Sequence, residues 1–309
     1  MLELKSFKSI VDLIKTFPTE QDCITHLETI RWNSKVVSPF DSNSSVYKCK
    51  NNRYKCRNTN KYFNVRTNTI FEGTKISLQQ WFLAIYIFTS HKKGISSIQL
   101  SKDLDITQKA SWFVLHRLRY AMNQNNFINF INGTVEVDET FVGGKNKNRH
   151  PHKKVVNSQG RAFIDKTPVL GILNRDNRCI KCFVVEDTKA KTIQPVILNN
   201  VEQGSTIMSD EWWAYNGLNK FYKHKIVNHS NKEFVKEDCY TNTIEGFWSL
   251  FKRGIIGIYH FTSRTHLQKY VDEFSFRYNH RENTIDENFN IFLQTTNNKR
   301  LTYKTLINK

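Results

Sequence analysis

The stretch "TNTIEGFWSLFKRG", residues 241–254, sets one carboxylate, Glu245, at the edge of an aromatic stripe. Ile244, Phe247, Trp248, Phe251 and Ile255 recur at helical spacing and predict a helix with one buried face. Lys252, seven residues after Glu245, shares its side. A glutamate beside an apolar face loses hydration unless a positive group meets it. Lys252 would do so as a solvated pair on the flank. A metal ion would do so only with further carboxylates, and two strand ends offer them. Asp138, in "VEVDETFVGG", sits among Val135, Val137 and Val142 in a run that reads as a buried strand. Asp210, in "IMSDEWWAYNG", falls where a short apolar strand gives out, the place at which open α/β sheets carry ligand-binding groups.

Three carboxylates on two strands and a following helix suit two Mg²⁺ (or Mn²⁺) ions, hard cations that take oxygen ligands and keep several waters. Two such ions about 3.5–4 Å apart activate an attacking oxygen and stabilise a leaving one at a phosphodiester. Ordinary salt bridges in a basic chain are the competing reading. For Asp210 there is also an N-cap role, for a helix starting at Glu211 or Trp212.

The elements that must position these groups alternate from residue 134 onward. "TVEVDETFVGG" predicts a strand, and "TPVLGILNRDNRCIKCFVVED" two strands joined by a turn at Asp176-Asn177. "KAKTIQPVILNNV" has helical spacing, "HKIVNHS" reads as a strand, and a last helix lies near 264–280. Upstream, residues 1–30 form a helical lead, 31–75 hold short β-like pieces, and helices are predicted near 77–90, 96–104 and 107–124. The last two, with a break at Asp105-Ile106 and Thr107 as cap, make a helix-turn-helix pattern. Gln108, Lys109, Ser111, His116 and Arg119 are then the side chains available to a DNA groove.

The partner class follows from charge. The chain of 309 residues carries a formal +18, and residues 46–75 hold eight Lys or Arg against one acid, Glu72. A polyanion is the expected ligand. Membrane insertion is excluded as a reading, because the longest apolar run, Trp81 to Phe88, is far below the roughly 20 residues a span needs. No secretory signal pattern opens the chain, and six irregularly spaced cysteines make no disulfide framework. A cytoplasmic, nucleoid-associated protein is expected. Cys179 and Cys182, three apart on a strand, would face opposite ways and read as buried thiols. His150 and His152 read as a basic loop.

The motifs "VEVDETFVGG", "LGILNRDN", "SDEWWAYNGL", "TNTIEGFWSLFKRGI" and "EFSFRYNHR" together resemble the DDE transposase domain of bacterial insertion sequences. The similar group is the ISXO-two-like domain of the fifteen-ninety-five insertion-sequence family, and the resemblance runs from about Ile30 to Asn283. It implies an α/β fold, a ribonuclease-H-like mixed sheet flanked by helices, preceded by a helix-turn-helix region and a small ribbon-like β segment. It implies that Asp138, Asp210 and Glu245 bind the two Mg²⁺ ions, that Lys252 contacts DNA near the cleavage site, and that Asn242 is a candidate auxiliary ligand. The organisation expected is a lead at 1–30, a degenerate zinc ribbon at 31–75, the helix-turn-helix region at 76–125, the transposase domain at 130–290 and a tail at 291–309. The partner implied is double-stranded DNA, at element ends and target, bound by a homo-oligomer.

The chain departs from that family in its ribbon. The places of the two Cys pairs read "SPFD" (Ser38 to Asp41) and "CRNT" (Cys56 to Thr59), leaving one thiol of four. A structural zinc site needs four ligands, mostly Cys or His, so zinc is not expected and the segment must hold by packing. Trp32, Val37, Phe40, Val46, Tyr54, Tyr62, Phe63 and Val65 are the expected contributors. The function expected is Mg²⁺-dependent strand cleavage and strand transfer. The alternative is a catalytically silent DNA-binding protein of transposase descent, and a third reading is an RNA-cleaving nuclease of the same fold.

Overall fold

Prolines, caps and alternation divide the chain much as its sequence suggests. The computed structural model describes residues 4–33, 35–123, 130–143, 150–154, 156, 166–227 and 239–307. Two units emerge: Met1–Met122 with Glu282–Lys309, and Asn123–Arg281. In the first, the helical lead is two helices, α1 (Ile10–Thr16) and α2 (Glu20–Trp32), broken before Pro18, where the preceding residue is driven out of the helical region. Thr19 and Asp22 form a capping box on α2.

Strands β1 (Val46–Cys49), β2 (Arg53–Cys56) and β3 (Tyr62–Phe63) form an antiparallel meander. Its inner face packs on α2. The Trp32 ring lies 5.3 Å from Tyr54 and 6.1 Å from Phe63, and the Tyr54 hydroxyl donates to Glu28 at 2.9 Å. Of the expected contributors, Trp32, Tyr54, Phe63 and Val65 are buried, whereas Val37, Phe40 and Tyr62 are exposed. The reason is the pleat: with Phe63 turned inward, its neighbour Tyr62 must face outward.

Hydrogen bonds occupy the corners where the family carries thiols. Ser38 Oγ accepts from the amides of Phe40 and Asp41, and Asp41 accepts from the Asn43 amide and the Asn58 side chain. Cys56 is fully buried. Burial works to raise its thiol, but hydrogen bonds from Ser38, Ser44 and Thr59 outweigh it and bring the pKa down to about 6. Among the described residues no trio of metal-ligating side chains gathers in this segment.

Helices α3 (Leu78–Ser90), α4 (Ser97–Leu104) and α5 (Gln108–Ala121) follow. Glu20 accepts from the first amides of α3, at Leu78 and Gln79, and pairs with Arg66 at 2.5 Å. The α4–α5 turn uses Asp105 in the left-handed region (φ 50°) and Thr107 as N-cap.

The second unit holds β4 (Thr134–Val142), β5 (Thr167–Asn174), β6 (Ile180–Val184), α6 (Ala190–Leu198), β7 (Thr206–Ser209), β8 (Lys223–Ile226), α7 (Asn242–Gly254) and α8 (Arg264–Asn279). The sheet order is β6-β5-β4-β7-β8. β5 runs antiparallel to β4 and β6, while β4, β7 and β8 are mutually parallel. That order and those directions are the ribonuclease-H-like topology. One sheet face packs Val135, Val137 and Leu170 on Ile193 and Ile197 of α6. The other packs Val169, Leu173 and Cys182 on Phe247, Phe251 and Phe274 of α7 and α8. Central β5 is buried along its whole length, as expected of a strand covered on both faces.

The chain leaves this unit at Arg281, short of the expected boundary at 290. Helices α9 (Ile285–Gln294) and α10 (Tyr303–Leu306) return to the first unit, where Phe289 meets Phe7 at 5.1 Å and Phe82 at 5.2 Å. Aromatic burial, rather than chain order, decides where the C-terminal segment belongs.

Gly171, opposite Asp138 in the β4–β5 ladder, admits α7 to the sheet. A Cβ there would lie 2.6 Å from the Trp248 ring and 2.9 Å from Ile244. Gly171→Ala is therefore expected to destabilise the protein by about 1–3 kcal/mol through overpacking. Urea denaturation checks this; unchanged stability would mean that α7 yields freely.

Candidate active site

Asp138 and Asp210 are brought together by strand register. β4 pairs with β7 in parallel, Glu136 opposite Met208, so two residues further on Asp138 stands beside Asp210 just past the end of β7. Carboxylate oxygens of Asp138, Glu139 and Asp210 all lie within 4.8 Å of one another. The Trp248 indole N–H donates to Asp138 Oδ2 at 3.0 Å, and Asp210 Oδ1 accepts from the Trp212 amide at 3.0 Å. The second contact is a local turn from Asp210 to the amide two residues on, not the N-cap considered for Asp210: the helical turn Trp213–Tyr215 starts later, with Trp212 at its N-cap and no side-chain cap.

Electrostatics set this cluster apart. Burial first, then the Asp210 charge and more weakly that of Glu245, push Asp138 up to about 6, against hydrogen bonds from the Glu139 amide and Trp248. Burial and the charges of Glu139, Asp138 and Asp210 likewise drive the Tyr215 phenol well above its ordinary value. Carboxylates that repel in a half-buried space fit a divalent cation, because its charge would relieve both terms.

Glu245 lies in the first turn of α7 and is exposed. Its charge reaches Asp138, but its carboxylate is not within the 4.8 Å cluster. Asn242 opens α7 and Lys252 lies in its last turn, both exposed.

What holds α7 in place was not foreseen. Glu136, two residues before Asp138 and fully buried, accepts from the Ile244 amide at 2.9 Å and from Arg175 Nε at 2.6 Å. Arg175 also donates to the Tyr240 carbonyl and stacks on the Tyr240 ring at 3.4 Å. A strand carboxylate thus satisfies an orphan amide at the N-terminus of α7, one residue before Glu245, where negative charge also meets the helix dipole favourably. The signal was present in "VEVDE": on a strand, residues two apart share a face. Glu139 was equally legible as an acid beside Asp138. Arg175, just before the turn expected at Asp176-Asn177, was given no role.

The expected DNA-facing set of α5 divides. Gln108 and Lys109 are exposed, but Ser111, His116 and Arg119 are buried and cannot face a groove. From Val114 to Arg119 the helix is enclosed on every side, so its polar residues there serve the interior. The Arg119 guanidinium lies 5.9 Å from the Phe88 ring. Of the other residues singled out, Cys182 is buried, Cys179 half-buried, and both are free thiols. His150 and His152 stack 5.8 Å apart in an exposed turn.

Two outcomes follow. Because the folded pKa of Asp138 is raised, its ionisation costs stability progressively as pH rises from about 4 through about 6. In metal-free buffer Asp138→Asn should therefore be about 1–3 kcal/mol more stable than the wild type at pH 7.5, with the gain vanishing near pH 4. Denaturation midpoints across that range test it, and a pH-independent difference would refute the cause given. Glu136→Gln should destabilise by about 3–5 kcal/mol, since Arg175 is left without its counter-charge. Hydrogen exchange at the Ile244 amide should accelerate beyond the global loss; protection unchanged relative to neighbouring amides would remove Glu136 from the cap.

Residues 130–279 match the ISXO2-like transposase domain. An uncharacterized protein in transposable element ISH50 of Halobacterium salinarum is 26% identical over 276 residues, covering 85% of this chain and 92% of the relative. An uncharacterized transposase-like protein of Haemophilus influenzae is 28% identical over 100 residues, 32% of this chain and 80% of its own. A solved pre-cleavage Mos1 transpososome aligns at 11% identity with a TM-score of 0.27, over 72% of this chain and 79% of that one. The likeness of this chain to the ISXO2-like transposase domain thus lies in residues 130–279.

Proposed function

We propose that this protein is an insertion-sequence transposase that cleaves and joins DNA strands with Mg²⁺ at Asp138, Asp210 and Glu245. The observation that carries the reading is the meeting of Asp138 and Asp210, from neighbouring strands far apart in sequence, beside the start of α7. Asp138 and Asp210 would hold the metal, with Glu139 within reach and Glu245 approaching from α7. Bound Mg²⁺ supplies activation of the attacking oxygen and stabilisation of the leaving oxygen at a phosphodiester. The Trp248 indole N–H holds Asp138 Oδ2 and so orients a carboxylate that would bind the ion. Lys252, about two turns along α7 from Glu245, is assigned to a DNA phosphate near the scissile bond, and Asn242 to an auxiliary position at the helix start.

The α4–α5 pair is assigned to recognition of double-stranded element ends, with Gln108 and Lys109 as the accessible side chains of α5. A homo-oligomer on DNA is the working assembly, in the bacterial cytoplasm. Among the described residues no helix is long and apolar enough to cross a membrane. The domain assignment keeps a transposase domain from about 130, now closed at Arg281.

Asp210→Asn is expected to retain DNA binding and lose strand cleavage by at least about a hundredfold in Mg²⁺, because the metal site loses a charge without a change of shape. Cleavage at the wild-type rate would overturn the assignment. A wild-type protein that binds element-end DNA tightly but never cuts it would instead favour the silent DNA-binding alternative.

A further inference from the structure

We infer that the outer face of the β1–β2–β3 sheet is a stacking platform for an unpaired DNA strand. The register sets Tyr47 opposite Lys55 and Lys55 opposite Tyr62, so the three side chains form one row across the sheet. All three point away from the face that packs on α2. Tyr47 is 51% and Tyr62 58% exposed, and Lys55 Nζ lies 5.6 Å from the Tyr62 ring centroid. Arg53, two residues before Lys55, adds an exposed cation to the same face.

The pleat sets these positions outward, but packing does not call for aromatic rings there. The inner face already has its aromatic layer in Trp32, Tyr54 and Phe63. The surrounding charge is one-sided: residues 42–71 contain no Asp or Glu and seven Lys or Arg. Arg66 is paired with Glu20, whereas among the described residues no carboxylate pairs with Arg53 or Lys55. Two rings on the outer strands, with a cation between them on the middle strand, match a polynucleotide crossing the strands. Bases would lie on Tyr47 and Tyr62 and a phosphate at Lys55. Strands are about 4.8 Å apart, so the rings stand roughly 10 Å from one another, a spacing that suits splayed rather than paired bases. In a duplex the base faces are covered, and a flat sheet could not reach them.

This inference rests on the reading of the protein as one that acts on DNA, but its test does not depend on cleavage. The full chain is titrated, in EDTA, against a fluorescent oligo-dT and against a duplex of equal length, by anisotropy. Tyr47→Ala/Tyr62→Ala should weaken oligo-dT binding by on the order of tenfold per ring, and duplex binding far less. Tyr47→Phe/Tyr62→Phe should bind oligo-dT like the wild type, because it keeps both rings, and it controls for folding. Lys55→Ala should flatten the salt dependence for oligo-dT by about 0.7 in log–log slope. Equal losses on oligo-dT and duplex, an alanine variant that binds normally, or a phenylalanine variant as weak as the alanine one would each overturn the platform. Tighter binding to an oligo-U RNA than to oligo-dT would overturn its assignment to DNA. Because EDTA removes the metal, cleavage retained by Asp210→Asn would sink the active-site reading and leave this result standing.

Discussion

The buried pair of Glu136 and Arg175 is the constraint on which the candidate active site depends. An ion pair with Glu136 fully enclosed is expensive to desolvate, and it persists because each charge has further partners: the Ile244 amide for the carboxylate, the Tyr240 carbonyl and ring for the guanidinium. Those contacts join the central strand, the end of β5 and the entry to α7. Gly171 and Trp248 complete the seat. The glycine lets the indole lie against the sheet, and the indole N–H reaches Asp138. Apolar packing alone would let α7 slide along its axis, whereas a hydrogen bond to one named amide fixes its register.

Much of this was legible before any coordinates. β4, β5, β6 and β7 follow from apolar runs and turn residues, and α7 and α8 from helical spacing. Asp138 and Asp210 were recognisable as charges placed where strands should be apolar. What the sequence concealed is of another kind. The burial of Ser111, His116 and Arg119 depends on how completely neighbouring elements enclose α5, and no single-helix pattern carries that. Glu136 shares a strand face with Asp138, but its role depends on Arg175, thirty-nine residues away, and on a backbone amide of α7. The departure of the chain from the second unit at Arg281 was hidden because Phe289 and its neighbours look like the apolar face of any terminal helix.

The small three-stranded sheet holds together through polar corners and one aromatic face. Hydroxyls and amides close the corners, and Trp32 of α2 supplies the core that a short three-stranded sheet lacks. The Asn58 amide donates to Asp41 at 2.8 Å and so ties the two corners to each other, and the helix behind holds the sheet.

The route of the chain through the two units has a consequence for biosynthesis. The first unit is discontinuous, and Phe289 on α9 completes an aromatic core begun by Phe7, Phe17 and Phe82. On the ribosome that core stays open until the last segment has emerged, while the second unit is complete once Arg281 is out of the exit tunnel. The nascent chain therefore finishes its second unit first, and the first unit, begun earlier, matures last. A message truncated after the second unit would yield that unit folded and attached to an N-terminal region with its apolar interior exposed, a natural substrate for chaperones and proteases.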